Sequence, residues 1–275
     1  MRVLPEEFES GVRRVVAVIP ARMGSSRFPG KPLARLLGRT MIEHVVRRAA
    51  MCDVLEAVYV ATCDEEIRAE VERFGGEAVM TSPAHERASD RVAEAAERSE
   101  AEVVVMIQGD EPMVTPRMIA AAVAPLCEDA SVSCVNLARR ITRREDYFDR
   151  NTIKVLMNVR GDAVYFSRAP IPDGAFARGT EGVSPPVFKQ VCVIPFRRDF
   201  LREFARLPQT PLERAESIDM LRAVEHGRPV RLVEIVEETH AVDTPEDLRL
   251  VESLMKDDPL VRLYEEAGAR VRRRV

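Results

Sequence analysis

Arg14-Val15-Val16-Ala17-Val18-Ile19-Pro20, followed at once by Ala21-Arg22-Met23-Gly24-Ser25-Ser26-Arg27-Phe28-Pro29-Gly30-Lys31, decides the fold. A β-branched run closed by proline reads as a buried strand, and the small and basic residues after it as a loop at its carboxyl end. Glycine lets backbone N–H groups come close to an anion, while Arg22, Arg27 and Lys31 can surround it. Arginine offers a forked donor for phosphate oxygens and lysine a compact charge. The loop is not a Walker loop, because Lys31 is followed by Pro32, and it lacks the GxGxxG fingerprint. By composition alone it is equally compatible with an ordinary basic strand-to-helix connection.

Working outward, the periodicity predicts a helix over 40–51, a strand over 57–61, a helix over 65–74 and a strand over 77–80. A helix over 91–99 and a strand over 103–107 follow, the latter running into Gln108-Gly109-Asp110-Glu111-Pro112. This alternation predicts an α/β fold with a mainly parallel sheet covered on both faces. Ligands then sit beyond the carboxyl ends of the strands, where the loops after Pro20 and Ile107 share one rim.

After 132–137 the pattern changes. Residues 154–159 and 163–166 read as an antiparallel hairpin around Arg160-Gly161-Asp162, and 190–196 as one strand. Residues 171–186 read as a Pro/Gly-rich loop. Helices over 198–207, 211–226 and 244–256 and a strand over 229–235 complete the core, two of the helices opening on Thr-Pro. One domain over 1–256 with an inserted antiparallel subregion is expected, then a helical extension over 257–275 with a solvated basic run at Arg270–Arg274.

Two aspartates stand out. Asp110, at a strand end beside an anion loop, is a natural Mg²⁺ ligand, although Gly-Asp is also ordinary turn chemistry. Asp243 lies between the strand-like 237–242 and the Thr244-Pro245 helix start, and taken singly it reads as a helix cap. If both reach the same phosphate, they make a metal site.

Composition bounds the rest. Across 275 residues, 41 Lys+Arg against 45 Asp+Glu give a formal net charge of -4, which argues against a nucleic-acid or anionic-membrane partner. Aromatics at 5% and the absence of Trp argue against base-stacking platforms. No apolar run approaches the length of a membrane span, and the N-terminal stretch lacks a signal-peptide core. Five cysteines without a CxxC pair and four histidines without metal spacing suggest reduced thiols and no zinc site. The expected location is the cytoplasm.

At this point a resemblance becomes specific. Ala17-Val18-Ile19-Pro20-Ala21-Arg22 with Ser26-Arg27-Phe28-Pro29-Gly30-Lys31-Pro32-Leu33 resembles the opening of the 3-deoxy-manno-octulosonate (Kdo) cytidylyltransferase family. In order follow Val60-Ala61-Thr62, Met80-Thr81, Gln108 to Pro112, Tyr165-Phe166-Ser167-Arg168, Pro211-Leu212-Glu213 and Val242 to Leu248. The resemblance implies a Rossmann-like nucleotide-diphosphosugar transferase fold, a homodimer, and transfer of CMP from CTP to a sugar acid, Kdo or Kdo-like, with release of pyrophosphate. It implies that Arg22, Lys31 and Arg27 hold the triphosphate beside Ala21, and that Asp110 and Asp243 hold Mg²⁺. Gln108 with Ser89, Asp90 and Arg91 would lie near cytosine and ribose, and Arg168, Gln190, Glu213 and Glu216 would face the acceptor. Such chemistry needs positioning and charge neutralisation, and no Ser, Cys or His nucleophile is expected.

The chain departs from the family pattern where the acceptor is expected. Gln190 stands for a histidine, Ile194 for a tyrosine and Met220 for a glutamine, and His85-Glu86-Arg87-Ala88-Ser89-Asp90-Arg91 replaces a His-x-Ser-Gly-Thr loop. Lost polar contacts at about 1–3 kcal/mol each point to an acceptor other than Kdo, another acidic sugar or a phosphonate. Two other readings are a catalytically silent nucleotide-binding protein and an assembly protein using its basic C-terminal helix. Retention of Arg22, Lys31, Asp110 and Asp243 together favours the enzyme.

Overall fold

A computed structural model describes residues 14–24, 27–176 and 186–266. The N-terminal half runs β1 (Val15–Pro20), the short ribbon β2 (Arg35–Leu36) and β3 (Arg39–Thr40), α1 (Met41–Ala50), β4 (Ala57–Thr62) and α2 (Glu65–Arg73). Next come β5 (Glu77–Met80), α3 (Ala88–Ala96), β6 (Val103–Ile107), α4 (Pro116–Glu128) and β7 (Val135–Arg140). Then follow α5 (Arg144–Phe148), β8 (Lys154–Met157), β9 (Ala163–Ser167), β10 (Phe188–Val191) and β11 (Val193–Arg197). The chain ends with α6 (Arg198–Arg206), α7 (Pro211–Glu216), α8 (Met220–Glu225), β12 (Arg231–Ile235), α9 (Pro245–Met255) and α10 (Pro259–Glu266).

The β-branched strands are buried on both faces: every residue of β1 and of β6 is inaccessible or nearly so. They form the centre of a first sheet ordered β11-β6-β1-β4-β5, parallel except for β11. Parallel strands need helical crossovers, and α1, α2 and α3 supply them. A second sheet, β12-β7-β10-β8-β9, is antiparallel apart from the β12–β7 pair. It holds the expected hairpin, so the mainly parallel sheet with an antiparallel subregion is what the chain forms. Among the described residues no helix is long and apolar enough to cross a membrane.

Several expectations change. The single strand over 190–196 is two, β10 in the second sheet and β11 in the first, exchanged across Cys192. Its carbonyl accepts from the Gln108 N–H at 3.1 Å, which ties the crossing to the end of β6. The helix over 211–226 breaks at Ser217, whose φ of 55° is left-handed, into α7 and α8. Residues 237–242 form no strand, and their backbone instead reaches β6's loop, Val242 N–H donating to Asp110 O at 2.9 Å. The extension expected from 257 is continuous with the core: Val261 and Tyr264 of α10 pack with Leu36, Met41, Val242 and Val251. The basic run 270–274 and most of the 171–186 loop lie outside the described residues.

Candidate active site

The loop after β1 is held by its backbone. Ala21 N–H donates to Ala61 O at 2.9 Å, Met23 N–H to Asp64 Oδ2 at 2.8 Å, and Gly30 N–H to Met23 O at 3.2 Å. Gly30 has a φ of 70°, a conformation that glycine adopts without strain, and it opens the 3-10 turn Lys31–Leu33. The loop after β6 passes so close that a Cβ on Gly109 would lie 3.0 Å from Pro20 O. Glycine at that position is what lets Asp110 reach the β1 loop.

Lys31 is the pivot of the site. Its Nζ donates to Asp110 Oδ2 at 2.7 Å and to Asp243 Oδ1 at 3.3 Å, and Arg27 pairs with Asp243 at 3.0 Å. Burial works to lower the Lys31 pKa, but the two carboxylates more than offset it and the net direction is upward. Two aspartates from distant segments thus converge on one cation. That donor set fits Mg²⁺, which takes one or two carboxylates together with phosphate oxygens.

Two cavities meet at this point. The first, about 420 Å³, carries the cations Arg22, Lys31, Arg87 and Arg91. The second, about 370 Å³, carries Arg168, Lys189, Gln190 and the buried Glu111. Arg27, Gln108, Asp110 and Asp243 line both. Arg22 makes no hydrogen bond or ion pair among the described residues, and so leaves its guanidinium open to the first cavity. Ala21 lines the same cavity.

The remaining expected site residues divide. Arg91 lines the first cavity and donates to Thr81 Oγ1 at 2.5 Å. Ser89 and Asp90 line neither cavity: Ser89 Oγ donates to Asp219 Oδ2 at 2.8 Å, and Asp90 accepts from Arg222 at 3.1 Å. The helix begins at Ala88, earlier than expected, and its first turn points those two side chains towards α8. Glu213 also faces inward. It is fully buried and paired with Arg222 at 2.7 and 2.9 Å, the best partner for a carboxylate that has lost water.

Glu216 lies behind Arg168, accepting from Arg168 N–H and from Ser167 Oγ at 2.8 and 2.7 Å. Ile194 and Met220 are buried among core side chains and line neither cavity, so of the three replaced positions only Gln190 faces one. Lys189 and Asn151, whose Oδ1 accepts from Arg27 at 2.8 Å, join the site without having been singled out, and Arg87, noticed as an added cation of the altered 85–91 loop, lines the first cavity. Lys189 carried a usable signal, a cation beside Gln190 on the same strand.

Cys192 also borders the second cavity, but burial, with the nearby Glu111 and Asp110 carboxylates, pushes its thiol well above the ordinary value. A neutral thiol is a poor nucleophile. Burial first, and then Asp110, raises the Glu111 carboxyl to about 7.

The chain was compared with known proteins. A family model described as Cytidylyltransferase matches residues 16–266. The 3-deoxy-manno-octulosonate cytidylyltransferase of Syntrophotalea carbinolica is 46% identical over 246 residues, 88% of this chain and 98% of that protein. The protein of the same name from Geobacter metallireducens is 43% identical over 254 residues, with 88% and 98% covered. Among solved structures, a CMP:2-keto-3-deoxy-manno-octonic acid synthetase complexed with CTP superposes with a TM-score of 0.82 at 38% identity, covering 90% of this chain and 100% of that one. A cytidylyltransferase from Leptospira borgpetersenii, at 17% identity and a TM-score of 0.57 with 95% and 98% covered, shares the fold.

Proposed function

Because this chain belongs to the cytidylyltransferase family, we propose that it transfers CMP from CTP to 3-deoxy-manno-octulosonate and releases pyrophosphate. The observation that carries this reading is the bridge from Asp110 through Lys31 to Asp243, standing where the two cavities join. Relatives named for that sugar acid, and a neighbour solved with CTP, supply the substrates. Ile194 and Met220 lie in the core, which removes two of the four departures that pointed to a different acceptor.

The cationic first cavity suits the triphosphate and the second the sugar acid. Arg22, Arg27 and Lys31 bind phosphate oxygens, drawing charge from the leaving pyrophosphate. The acceptor hydroxyl oxygen attacks the α-phosphorus, the bond to the bridging oxygen of the β-phosphate breaks, and the hydroxyl proton is released. No residue of this chain is phosphorylated or acylated on the way. Asp110 and Asp243 would hold Mg²⁺, which when bound supplies Lewis-acid neutralisation of phosphate charge. When phosphate enters, Lys31 exchanges carboxylate partners for phosphate oxygens without leaving the site. A cytoplasmic homodimer is part of the same proposal.

Pyrophosphate release from each of the four NTPs, with Mg²⁺ and with Kdo, other acidic acceptors or no acceptor, tests it. Release only with CTP and Kdo together is expected. Release with a different acceptor alone would relocate the substrate, and CTP binding without release under any condition would overturn the catalytic reading.

A further inference from the structure

We infer that Asn136 and Gln190 form a specificity unit for the acceptor. Asn136 is a positioning residue that fixes the Gln190 amide so that its Oε1 accepts a hydrogen bond from an acceptor hydroxyl. The inference rests on the second cavity receiving the sugar acid.

Asn136, on β7 between β12 and β10 of the second sheet, is fully buried. Its Nδ2 donates to Leu137 O at 2.7 Å and to Val191 O at 2.9 Å. Carbonyls only accept, so these two bonds settle which end of the amide is nitrogen and spend both of its hydrogens. The Asn136 Oδ1 can therefore only accept. It lies 2.6 Å from the Gln190 side chain, which must present Nε2 to it.

Gln190, on the neighbouring β10, lines the second cavity. With Nε2 held inward, Oε1 has no donor among the described residues. The cations Arg168 and Lys189 on the same wall suit a carboxylate, whereas a neutral acceptor oxygen suits a hydroxyl hydrogen. Because neither amide titrates, that reader keeps one direction at any working pH.

Steady-state kinetics of the full chain with CTP, Kdo and its singly deoxygenated analogues tests the inference. The wild type should favour Kdo over one analogue by about tenfold in kcat/KM, the worth of one buried hydrogen bond. Gln190→Leu should raise the acceptor KM by about tenfold, leave the CTP KM within about twofold, and erase that preference.

Gln190→Glu keeps an acceptor oxygen but takes away the donor that Asn136 Oδ1 requires, and should raise the acceptor KM as much as Gln190→Leu. If Gln190→Glu behaved as wild type, Asn136 would have no positioning role. If Gln190→Leu left the acceptor KM and the preference unchanged, the whole inference would fall while the proposed function stood. Silence of the wild type with CTP and Kdo would instead overturn the functional reading, and this inference with it.

Discussion

Arg168 and Glu216 hold each other at two places: the Arg168 backbone N–H donates to the Glu216 carboxylate and its Nε to the Glu216 carbonyl, each at 2.8 Å. Burial alone would raise the Glu216 carboxyl, but the bonds from Arg168 N–H, Ser167 and Tyr165 more than offset it and keep it ionised. Glu216→Leu takes away the acceptor of Arg168 N–H, Ser167 and Tyr165 and leaves only the bond from Arg168 Nε to the carbonyl of residue 216, so it should shift the backbone that carries the Arg168 fork and lower kcat/KM for the acceptor by about 10–100-fold, as a misplaced binding group does. CTP affinity, measured by calorimetry, should stay as it is.

At the junction, Asp243→Asn removes the charge that gathers Lys31 and Arg27, and Asp110→Asn removes its counterpart. Each should cost about 10²–10³ in kcat, in line with loss of one preorganised electrostatic group. Chelation with EDTA should abolish pyrophosphate release and added Mg²⁺ should restore it. Turnover that persisted in EDTA would remove the metal from the proposal.

Glu213 and Arg222 give a different outcome. Arg222 is nearly inaccessible and also lies over the Phe204 ring at 4.9 Å. Arg222→Met takes the two-bond partner from the buried Glu213 and leaves it, as a cation, only the more distant Arg87, at 3.8 Å, and should cost about 3 kcal/mol in urea unfolding. In the fraction that folds, acceptor KM should be unchanged, because neither side chain lines a cavity. A raised acceptor KM with unchanged stability would return Glu213 to the substrate pocket.

His44 predicts an acid limit. Its Nε2 lies 2.6 Å from Leu36 O and must carry the proton, so Nδ1 accepts from Tyr264 O–H, also at 2.6 Å. Burial, with Arg48 adding to it, lowers its pKa to about 4 from the ordinary value of 6.5. Between those values the unfolded chain binds more protons than the folded one, so stability falls as pH drops from 6.5 towards 4. The loss is about 3 kcal/mol at the acid end. Urea unfolding at pH 7 and pH 4.5 checks this, and His44→Gln should flatten the slope.

Much of the first sheet was legible because β1, β4 and β6 are short runs rich in β-branched residues, and β5 is a short run set between Gly75-Gly76 and Ser82-Pro83. The loops at their ends were legible for the same reason, and they carry Lys31 and Asp110. What the sequence hid is set by tertiary contacts. Cys192 interrupts an unbroken apolar run without any turn residue, and the change of sheet is marked by tertiary bonds such as that from Gln108 N–H to its carbonyl. Ser217 breaks a helix with neither Gly nor Pro, its side chain taking a bond from Arg87 at 3.0 Å. Spacing could not show that Ile194 and Met220 face the core while Gln190 faces a cavity. The helix α4 did leave a signal, since Thr115-Pro116 opens it as the Thr-Pro pairs open α7 and α9, and Thr115 Oγ1 accepts from Met118 N–H at 3.2 Å.

The packing of α9 and α10 has an implication for how the molecule is made. Val242, beside Asp243, is covered by Val251, Met255, Val261 and Tyr264. These residues leave the ribosome long after the loop that follows β1. Domains fold as units as they emerge. A nascent chain can therefore assemble the parallel sheet and present Lys31 and Asp110 long before their third partner exists. The second carboxylate is held in place only once α9 and α10 have emerged, so a product cut short before Tyr264 would be a folded sheet with an unfinished reaction centre.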